Sequence, residues 1–253
     1  MHSSRSRWLL VMICILLSVS CESPFNLPRT PFQLDVTEKR AVIENEFLHW
    51  EMSLDGGQVR TTTVTNRRTG RTTPVEGDDF VLEFAGGRRL RCSDFRLEKA
   101  NAGEAKNGAR ILALNLVRED CRVRLITSMR LGQWWVTRHL EISGSSGSLA
   151  AVTFSQWRCQ NARGPSTEGK PVGALGLANE RGQPVYADDL FFAVAHPGAE
   201  NFVTNDGFAC RLAAYDKIAP HRTVRTHEFV VGAGEAGAAR RALLGYIDAT
   251  RPV

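Results

Sequence analysis

Short segments of alternating apolar and polar residues, each followed by a turn, recur along this chain and restrict what it can fold into. The clearest example is Leu48–Leu54, in which every second residue is apolar. The turn residues Asp55-Gly56-Gly57 come next, and then the β-branched run Val59–Thr65. A period of two is typical of a half-buried strand, and a glycine-containing turn between two such runs indicates a hairpin. Residues 48–65 are therefore predicted to form a hairpin.

The strand pattern continues almost to the C-terminus. On Cys121–Thr127 the charged Arg122 and Arg124 face one way and the apolar residues the other, whereas the polar, glycine-containing Asn101–Arg110 is predicted to be a loop. Helical spacing is found only in Glu235–Thr250. Ten or more strands without alternating helices exclude a parallel α/β fold. They favour an all-β fold, a large antiparallel sandwich with one C-terminal helix.

The first twenty residues differ from the rest. Arg5 and Arg7 precede the apolar run Trp8–Leu17, and small residues follow, which predicts a signal peptide and hence export. Cys21 comes next, at the position that is lipidated in bacterial lipoproteins, but Ser18 stands where such signals usually carry leucine. A periplasmic or extracellular protein and a membrane-anchored lipoprotein therefore both remain open. The predicted division is a signal peptide at 1–20, a tether at 21–38 and a sandwich domain at 39–253, with its helix at about 235–250.

Composition and charge exclude some classes of partner. The sequence is 43% hydrophobic and 23% charged, which is ordinary for a globular protein. Without the signal peptide it has 30 basic and 27 acidic residues, a net charge of about +3. The basic residues are scattered in pairs such as Arg67-Arg68 and Arg240-Arg241, with no continuous stripe. We therefore expect no nucleic-acid partner.

Four cysteines remain after the signal peptide and Cys21 are set aside: Cys92, Cys121, Cys159 and Cys210. In an oxidising compartment they could form two disulfides in any of three pairings, and the alternative is four buried free thiols. Their spacing matches no zinc motif, so neither a metal nor a cofactor is expected.

Familiar catalytic motifs are missing from the sequence. GxSxG, HExxH, the P-loop and GxGxxG do not occur, which counts against the hydrolases, proteases and nucleotide enzymes that carry them. Adjacent Trp134 and Trp135 offer a different chemistry, because one of two neighbours on a strand is expected to face outward and a tryptophan ring can stack on a sugar. Packing in the core is the alternative.

The segment Gly182–Asn201, GQPVYADDLFFAVAHPGAEN, reads as a buried strand between two polar loops. Asp188 and Asp189 would face opposite sides of a strand, so they suit turn capping or a hydrogen bond to a sugar better than paired acid–base catalysis.

The loop after this strand carries His196 and Glu200. They would share a face only if the chain from Pro197 formed a helical turn, and the alternative is a structural turn satisfied by Glu200 and Asn201. His49, His139, His221 and His227 are dispersed and are expected on strand faces. No catalytic residue is assigned, and the candidate ligand-binding residues are Trp134, Trp135, Asp188, Asp189, His196, Glu200 and Asn201.

Three segments carry a family resemblance: IENEFLHWEMSLDGGQVRTTTVTNRRTG, GQPVYADDLFFAVAHPGAEN and ARRALLGYIDATRP. They resemble the N-terminal β-supersandwich of α-galactosidase-like glycoside hydrolases related to family 36, over roughly residues 40–253. The resemblance implies a galactose-mutarotase-like sandwich associated with carbohydrate. In that family a catalytic TIM barrel follows the sandwich, and this sequence ends about where the barrel would begin, so no catalytic residue can be transferred.

The resemblance implies an exported glycan-binding or accessory module that binds a galactoside or related glycan and is not catalytic by itself. If it is part of an enzyme, the enzyme would be a glycoside hydrolase, and a separate catalytic barrel protein would be a partner. Two alternatives remain open. A structural or interaction protein without sugar affinity would have its loop tryptophans wholly buried. A sugar epimerase or lyase would need a His/Glu or Tyr/Arg cluster on one concave sheet face.

Overall fold

The computed structural model describes residues 32–144, 147–164, 166–167, 170–171, 181–213, 217–218 and 222–251. The predicted signal peptide and Cys21 lie outside these residues. The helix of the described part is α1 (Ala239–Thr250). The strands are β1 (Gln33–Val36), β2 (Arg40–Glu44), β3 (Leu48–Ser53), β4 (Arg60–Asn66), β5 (Arg71–Pro74), β6 (Glu76–Asp78), β7 (Val81–Phe84), β8 (Arg89–Arg91), β9 (Arg96–Glu104), β10 (Arg110–Arg118) and β11 (Cys121–Met129). They continue with β12 (Trp135–Ser143), β13 (Gly147–Arg158), β14 (Ser166–Thr167), β15 (Lys170–Pro171), β16 (Val185–Ala187), β17 (Leu190–Val194), β18 (Glu200–Val203), β19 (Gly207–Ala213), β20 (Lys217–Ile218), β21 (Val224–Arg225) and β22 (Phe229–Ala233).

Three antiparallel sheets make up most of the described chain. A five-stranded sheet runs β1-β2-β3-β4-β5. An eight-stranded sheet runs β16-β17-β22-β12-β11-β10-β9, with β21 also paired to β12. A seven-stranded sheet runs β18-β19-β13-β7-β8, with β6 and β20 also paired to β13, while β14 and β15 form a small hairpin.

One hydrophobic core joins the three sheets. It contains Trp50 from the five-stranded sheet, Leu125 from the eight-stranded sheet and Phe154 from the seven-stranded sheet, all buried. Alternation explains how each strand contributes: on β11, Arg122 and Arg124 are exposed and the residues between them are buried. The prediction of an all-β sandwich with one C-terminal helix is confirmed.

The extents of three elements differ from those that the sequence pattern indicated. β1 lies within the predicted tether and pairs with β2 through Leu34 and Ile43, so the sheet begins at residue 33. The helix begins at Ala239 because a turn precedes it, in which the Ala238 amide donates to the Glu235 carbonyl and Gly237 adopts a φ of 70°. β9 extends into the predicted loop, because its polar residues pair with β10 as far as Glu104.

The predicted disulfides do not form in this structure, in which Cys92, Cys121, Cys159 and Cys210 are all free and buried. Cys210 lies opposite Ser155, and Cys159 comes four residues after Ser155, roughly 13 Å further along the strand direction. A disulfide requires Cα atoms about 4.4–6.8 Å apart, so these two cysteines cannot pair. The alternative of four buried thiols describes the structure.

Helix α1 covers one end of the outer face of the eight-stranded sheet. A second apolar cluster lies beneath it, formed by Trp135, Phe191, Ala193, Val230, Ala242 and Tyr246. Gly232 lies between Trp135 and Phe191 on neighbouring strands, and a Cβ atom there would overlap the Phe191 ring, so this position requires glycine. In the described part of the chain, no helix is both long enough and apolar enough to cross a membrane.

Candidate functional site

Polar side chains form a row on the outer face of the eight-stranded sheet, away from the end that α1 covers. Asn115, Arg124, Glu141 and Arg225 are direct cross-strand neighbours on β10, β11, β12 and β21. Arg124 Nη1 lies 3.1 Å from Glu141 Oε2. The side chains of Arg124 and Arg225 are 49% and 62% exposed, so solvent reaches them. We call these four residues, together with His139, the polar strip.

His139 is the buried member of the strip. It lies two residues before Glu141 on β12 and therefore on the same face, yet it is only 8% exposed. Burial lowers its pKa to about 4; Arg225 and Arg124 lower it further, and Glu141 opposes them. At neutral pH the ring is therefore uncharged and presents one donor and one acceptor.

The chain opposite His139 is irregular. β12 pairs with β21 as far as Glu141 and Arg225, and with β22 from Arg138 and Phe229 onwards. Two residues of β12 therefore face the three residues 226–228. An extra residue of this kind is a β-bulge, which redirects side chains and is common beside active sites.

His227 belongs to the irregular segment opposite β12, and its ring lies against that of His196. The rings of His196 and His227 have centroids 4.6 Å apart, and the Ala195 amide donates to the Glu228 carbonyl at 2.8 Å, which fixes the two segments. Burial lowers the pKa of His227, and His196 adds to the effect. Among the residues that the structure describes, no three or more His, Cys, Asp or Glu side chains are grouped to hold a metal ion.

An open cleft of about 260 Å³ adjoins the strip. Its walls include Arg124 and Glu141, and also Arg122, whose guanidinium lies 3.4 Å from Glu98. A larger cleft of about 400 Å³ lies between the turns Thr37–Lys39 and Leu54–Gly57 and the strand segment Leu97–Ala100. The smaller cleft is the better candidate, because Asn115, Arg124 and Glu141 of the polar strip line it.

The predicted tryptophan pair lies under α1. Trp135 is 8% exposed, and its ring centroid is 5.5 Å from that of Tyr246. Trp134 is half-buried, donates through Nε1 to the Ala242 carbonyl at 3.2 Å, and contacts the helix at Gly245. The pair therefore anchors the helix, and only part of Trp134 faces solvent.

Asp188 and Asp189 form the two-residue turn between β16 and β17. Their φ angles are 47° and 65°, as in the type I′ turn of a hairpin, so the expectation that they project from opposite faces of a strand was wrong. Asp189 accepts hydrogen bonds from Arg71 and from the Gly237 amide, and Asp188 accepts one from Thr73. Both carboxylates thus tie the turn to its surroundings.

The remaining predicted residues follow β17. Asn201 is buried, accepts from the Val194 amide and donates to the Gln183 carbonyl, while Glu200 pairs with Arg211 at 2.7 Å. His196 closes a turn with Ala199 and does not pair with Glu200. The structural-turn alternative therefore describes this loop. Of the seven predicted ligand-binding residues, His196 is the one that contacts His227, in the segment opposite β12.

Sequence reasoning did not identify the polar strip. The alternation on β11 indicated an outward polar face that included Arg124, but nothing in it indicated which residues of other strands would share that face. Asn115, Glu141 and Arg225 come from three different parts of the sequence and meet only through strand register.

Comparisons with known proteins gave matches among solved structures alone. No family model matches the sequence, and no curated protein matches it significantly. The fold is similar to that of a family 36 α-galactosidase, AgaB, from Geobacillus stearothermophilus, with 10% identity and a TM-score of 0.48, over 80% of this chain and 41% of that one. An α-galactosidase from Lactobacillus brevis has 9% identity and a TM-score of 0.45, over 82% and 41% of the two chains. A putative kojibiose phosphorylase from the human microbiome has 8% identity and a TM-score of 0.40, over 89% and 37%. The chain thus spans about two fifths of the length of these structures.

Proposed function

We propose that this chain is an exported β-sandwich of the glycoside hydrolase-associated type that binds a saccharide at the polar strip and does not cleave it. The observation that carries the proposal is the row of hydrogen-bonding side chains of Asn115, Arg124 and Glu141, which lines an open cleft of about 260 Å³. The signal-peptide pattern of residues 1–20 supports export.

The chemistry of the strip suits sugar hydroxyl groups, which both donate and accept hydrogen bonds. Arg124 and Arg225 supply donors, Glu141 supplies acceptors, and Asn115 and the neutral His139 supply both.

An accessory module also agrees with the sequence resemblance, which places galactosides and related glycans first among the ligands to test. The predicted tryptophan platform is less suited to this role than the strip, because Trp135 is buried beneath α1 and Trp134 is held by the helix. A separate catalytic barrel protein remains the partner that the resemblance implies.

A sugar epimerase or lyase is the second candidate, because His139, Glu141 and Arg124 form a His/Glu/Arg cluster on one sheet face. A general base works best with a pKa near the operating pH. With a pKa of about 4, His139 is a weak base at neutral pH, and Glu141 is occupied by Arg124. These features favour binding over catalysis.

The test is binding of neutral and acidic plant and microbial saccharides, first on a glycan array and then by calorimetry. We expect Arg124→Ala and Glu141→Gln to weaken binding by about tenfold or more, since each removes a charged hydrogen-bonding group. Arg158→Ala is the matched control, because Arg158 forms an exposed ion pair with Glu76 at 2.7 Å on the seven-stranded sheet.

Absence of binding to every saccharide would overturn the proposal. Binding that survives both strip variants but is lost in Trp134→Ala would move the site to α1. Turnover of galactose or oligosaccharides by the wild type, lost in His139→Gln, would establish the epimerase or lyase alternative instead.

A further inference from the structure

One end of the sandwich is formed by three connections that lie far apart in the sequence. Residues 45–47 join β2 to β3, residues 67–70 join β4 to β5, and residues 130–134 join β11 to β12. Helix α1 packs beside the third of them, against Trp134. We call the surface formed by these three connections and α1 the loop end.

Hydrogen bonds hold the loop end together. The Arg67 amide donates to the Phe47 carbonyl at 2.8 Å. Asn45 donates through its side chain to the Arg130 carbonyl, also at 2.8 Å, and Trp134 donates to a carbonyl of α1 at 3.2 Å. The four segments therefore form one continuous surface.

Exposed apolar side chains are concentrated on this surface. In the described part of the chain, four large hydrophobic side chains are exposed, and three of them belong to the loop end. Leu131 is 65% exposed, and Leu244 and Ile247 of α1 are 52% and 39% exposed. The fourth, Val203, lies on β18. Transfer of such side chains out of water is favourable, so the loop end is a candidate contact surface.

The loop end is also positively charged. Its four segments contain five arginines and two acidic residues, Glu46 and Asp248. Asp248 lies 3.7 Å from Arg251, and Glu46 accepts a hydrogen bond from the Gly132 amide. Neither acid therefore compensates the arginines of the surface, which makes an anionic partner the better match.

Most of these arginines have no acidic partner. Arg67 is paired with Glu44 at 2.8 Å. Four others form no ion pair with any residue that the structure describes: Arg68, Arg130, Arg240 and Arg241. The guanidinium of Arg68 stacks over the Phe47 ring, 4.7 Å from its centroid. Its N–H groups, at the edge of the guanidinium plane, can therefore turn to an anion.

The N-terminal segment joins the domain at this same end. β1 and β2 are antiparallel, with Gln33 opposite Glu44, and Glu44 directly precedes residues 45–47. The described chain therefore enters the sandwich beside the loop end. The eleven residues from Cys21 to Phe32 span at most about 40 Å. A lipid on Cys21 would thus tether the domain by the end that carries the exposed apolar and basic side chains.

Anionic phospholipid is the partner that matches both features of the surface. Arginine binds phosphate oxygens through paired N–H donors. Tryptophan and exposed apolar side chains favour the boundary between headgroups and acyl chains. Nucleic acid would also attract the arginines, but it would offer no apolar phase to Leu131 and Leu244.

We propose that the loop end docks on the surface of a membrane that contains anionic phospholipid. Leu131, Leu244 and the exposed part of Trp134 enter the headgroup region, and Arg68 and Arg130 bind lipid phosphates. The polar strip lies away from the end that α1 covers, so it remains accessible in the docked protein. The docking surface does not depend on the proposed saccharide binding.

Vesicle sedimentation tests the need for anionic lipid. The full chain carries Cys14→Ser and Cys21→Ser, so that neither cysteine is lipidated or labelled. We expect it to bind vesicles of mixed phosphatidylglycerol and phosphatidylcholine at least about tenfold more tightly than vesicles of phosphatidylcholine alone, with the difference shrinking at high salt.

Variants separate the loop end from the basic N-terminal segment. Arg68→Gln/Arg130→Gln should weaken binding to the anionic vesicles by at least about tenfold, because each basic residue near an anionic surface contributes to binding. Arg68→Lys/Arg130→Lys keeps both charges and should retain most of the binding, which separates loss of charge from loss of fold. Arg89→Gln/Arg158→Gln is the matched control, because it removes two arginines from the seven-stranded sheet.

A fluorophore that is sensitive to solvent polarity shows which surface enters the bilayer. Attached at Leu131→Cys or at Leu244→Cys, it should shift to the blue when vesicles are added. Attached at Val203→Cys, it should keep its aqueous spectrum. The four native cysteines of the described part are buried and leave the added cysteine as the reactive thiol.

Three results would overturn the proposal. The first is equal binding to vesicles with and without phosphatidylglycerol, or binding to neither. The second is an equal loss of binding in the loop-end variant and the control variant. The third is an aqueous spectrum from Leu131→Cys in vesicle-bound protein, which would show attachment through the N-terminal segment alone.

Discussion

Arg138 and Asp79 form an ion pair at the centre of the sandwich, with Nη1 and Oδ1 2.6 Å apart and both side chains at most 1% exposed. The pair connects β12 of the eight-stranded sheet to the segment just before β7. Asp79 also accepts a hydrogen bond from the Thr61 amide, and the guanidinium of Arg138 lies 4.3 Å from the ring centroid of Trp50. Both buried charges are thus compensated inside the core.

We expect Asp79→Ala or Arg138→Met to lower the free energy of unfolding by about 3–5 kcal/mol, because each leaves one charge buried without its partner. The double variant Asp79→Leu/Arg138→Met should cost less than the sum of the single losses. Urea denaturation measures all three. The exposed pair of Arg158 and Glu76 is the control, and Arg158→Ala should cost less than about 1 kcal/mol. An equal cost for the buried and exposed pairs would contradict the expectation.

Stability should fall in mild acid because of His139. An unfolded histidine has a pKa of about 6.5, whereas the folded value is about 4. Above pH 6.5 the ring is neutral in both states and its contribution is fully present. As the pH falls, the unfolded state takes up the proton first, so stability is lost until the native ring also protonates near pH 4. The total effect is at most roughly 3 kcal/mol.

The measurement for His139 is the urea midpoint of wild type and His139→Gln at pH 7 and pH 4.5. We expect the wild type to lose more stability between the two pH values than the variant does. Other groups titrate in both proteins, so the difference between the two proteins isolates His139. Identical losses would show that the ring does not remain neutral in the native state.

Trp135 should be needed to hold α1 on the sheet. Trp135→Ala removes an aromatic contact with Tyr246 and leaves a cavity in the cluster under the helix, which should cost about 3–5 kcal/mol. Hydrogen exchange of residues 239–250 should speed up in this variant. Trp134→Phe should cost only about 1 kcal/mol, because it loses the hydrogen bond to Ala242 but retains an aromatic ring. If Trp134→Phe abolished saccharide binding without loss of stability, the predicted tryptophan site would be supported instead.

The four buried cysteines should be slow to react in the folded protein. Burial raises the pKa of the Cys121 and Cys159 thiols to about 11 and that of Cys210 to about 12, so almost no thiolate exists at pH 8. Iodoacetamide at pH 8 should leave Cys92, Cys121, Cys159 and Cys210 unmodified in the native state. In urea without reductant, peptide mass spectrometry should find all four alkylated. Peptides that are linked until a reductant is added would restore the disulfide prediction.

The all-β fold could be predicted from the sequence because strand periodicity is local. The alternation of Leu48–Leu54 and the turn at Asp55–Gly57 identify a hairpin without any knowledge of the rest of the chain, and the structure has β3 and β4 there, paired antiparallel with one register shift between Glu51 and Met52. The C-terminal end of β9 could not be predicted from local periodicity, because the polar second half of this strand is held by pairing with β10 rather than by burial of apolar residues.

The polar strip and the position of the tryptophans were decided by tertiary structure. Strand register alone brings Asn115, Arg124 and Glu141 side by side. A β-bulge determines which residues lie opposite His139. Helix α1 packs against Trp134 and Trp135, so these tryptophans, which the sequence suggested as a surface for a sugar ring, lie beneath the helix. Periodicity thus determined which residues form strands and which strand faces are polar. Only the pairing of strands distant in sequence decided which polar faces meet, because cross-strand contacts depend on register and not on local pattern.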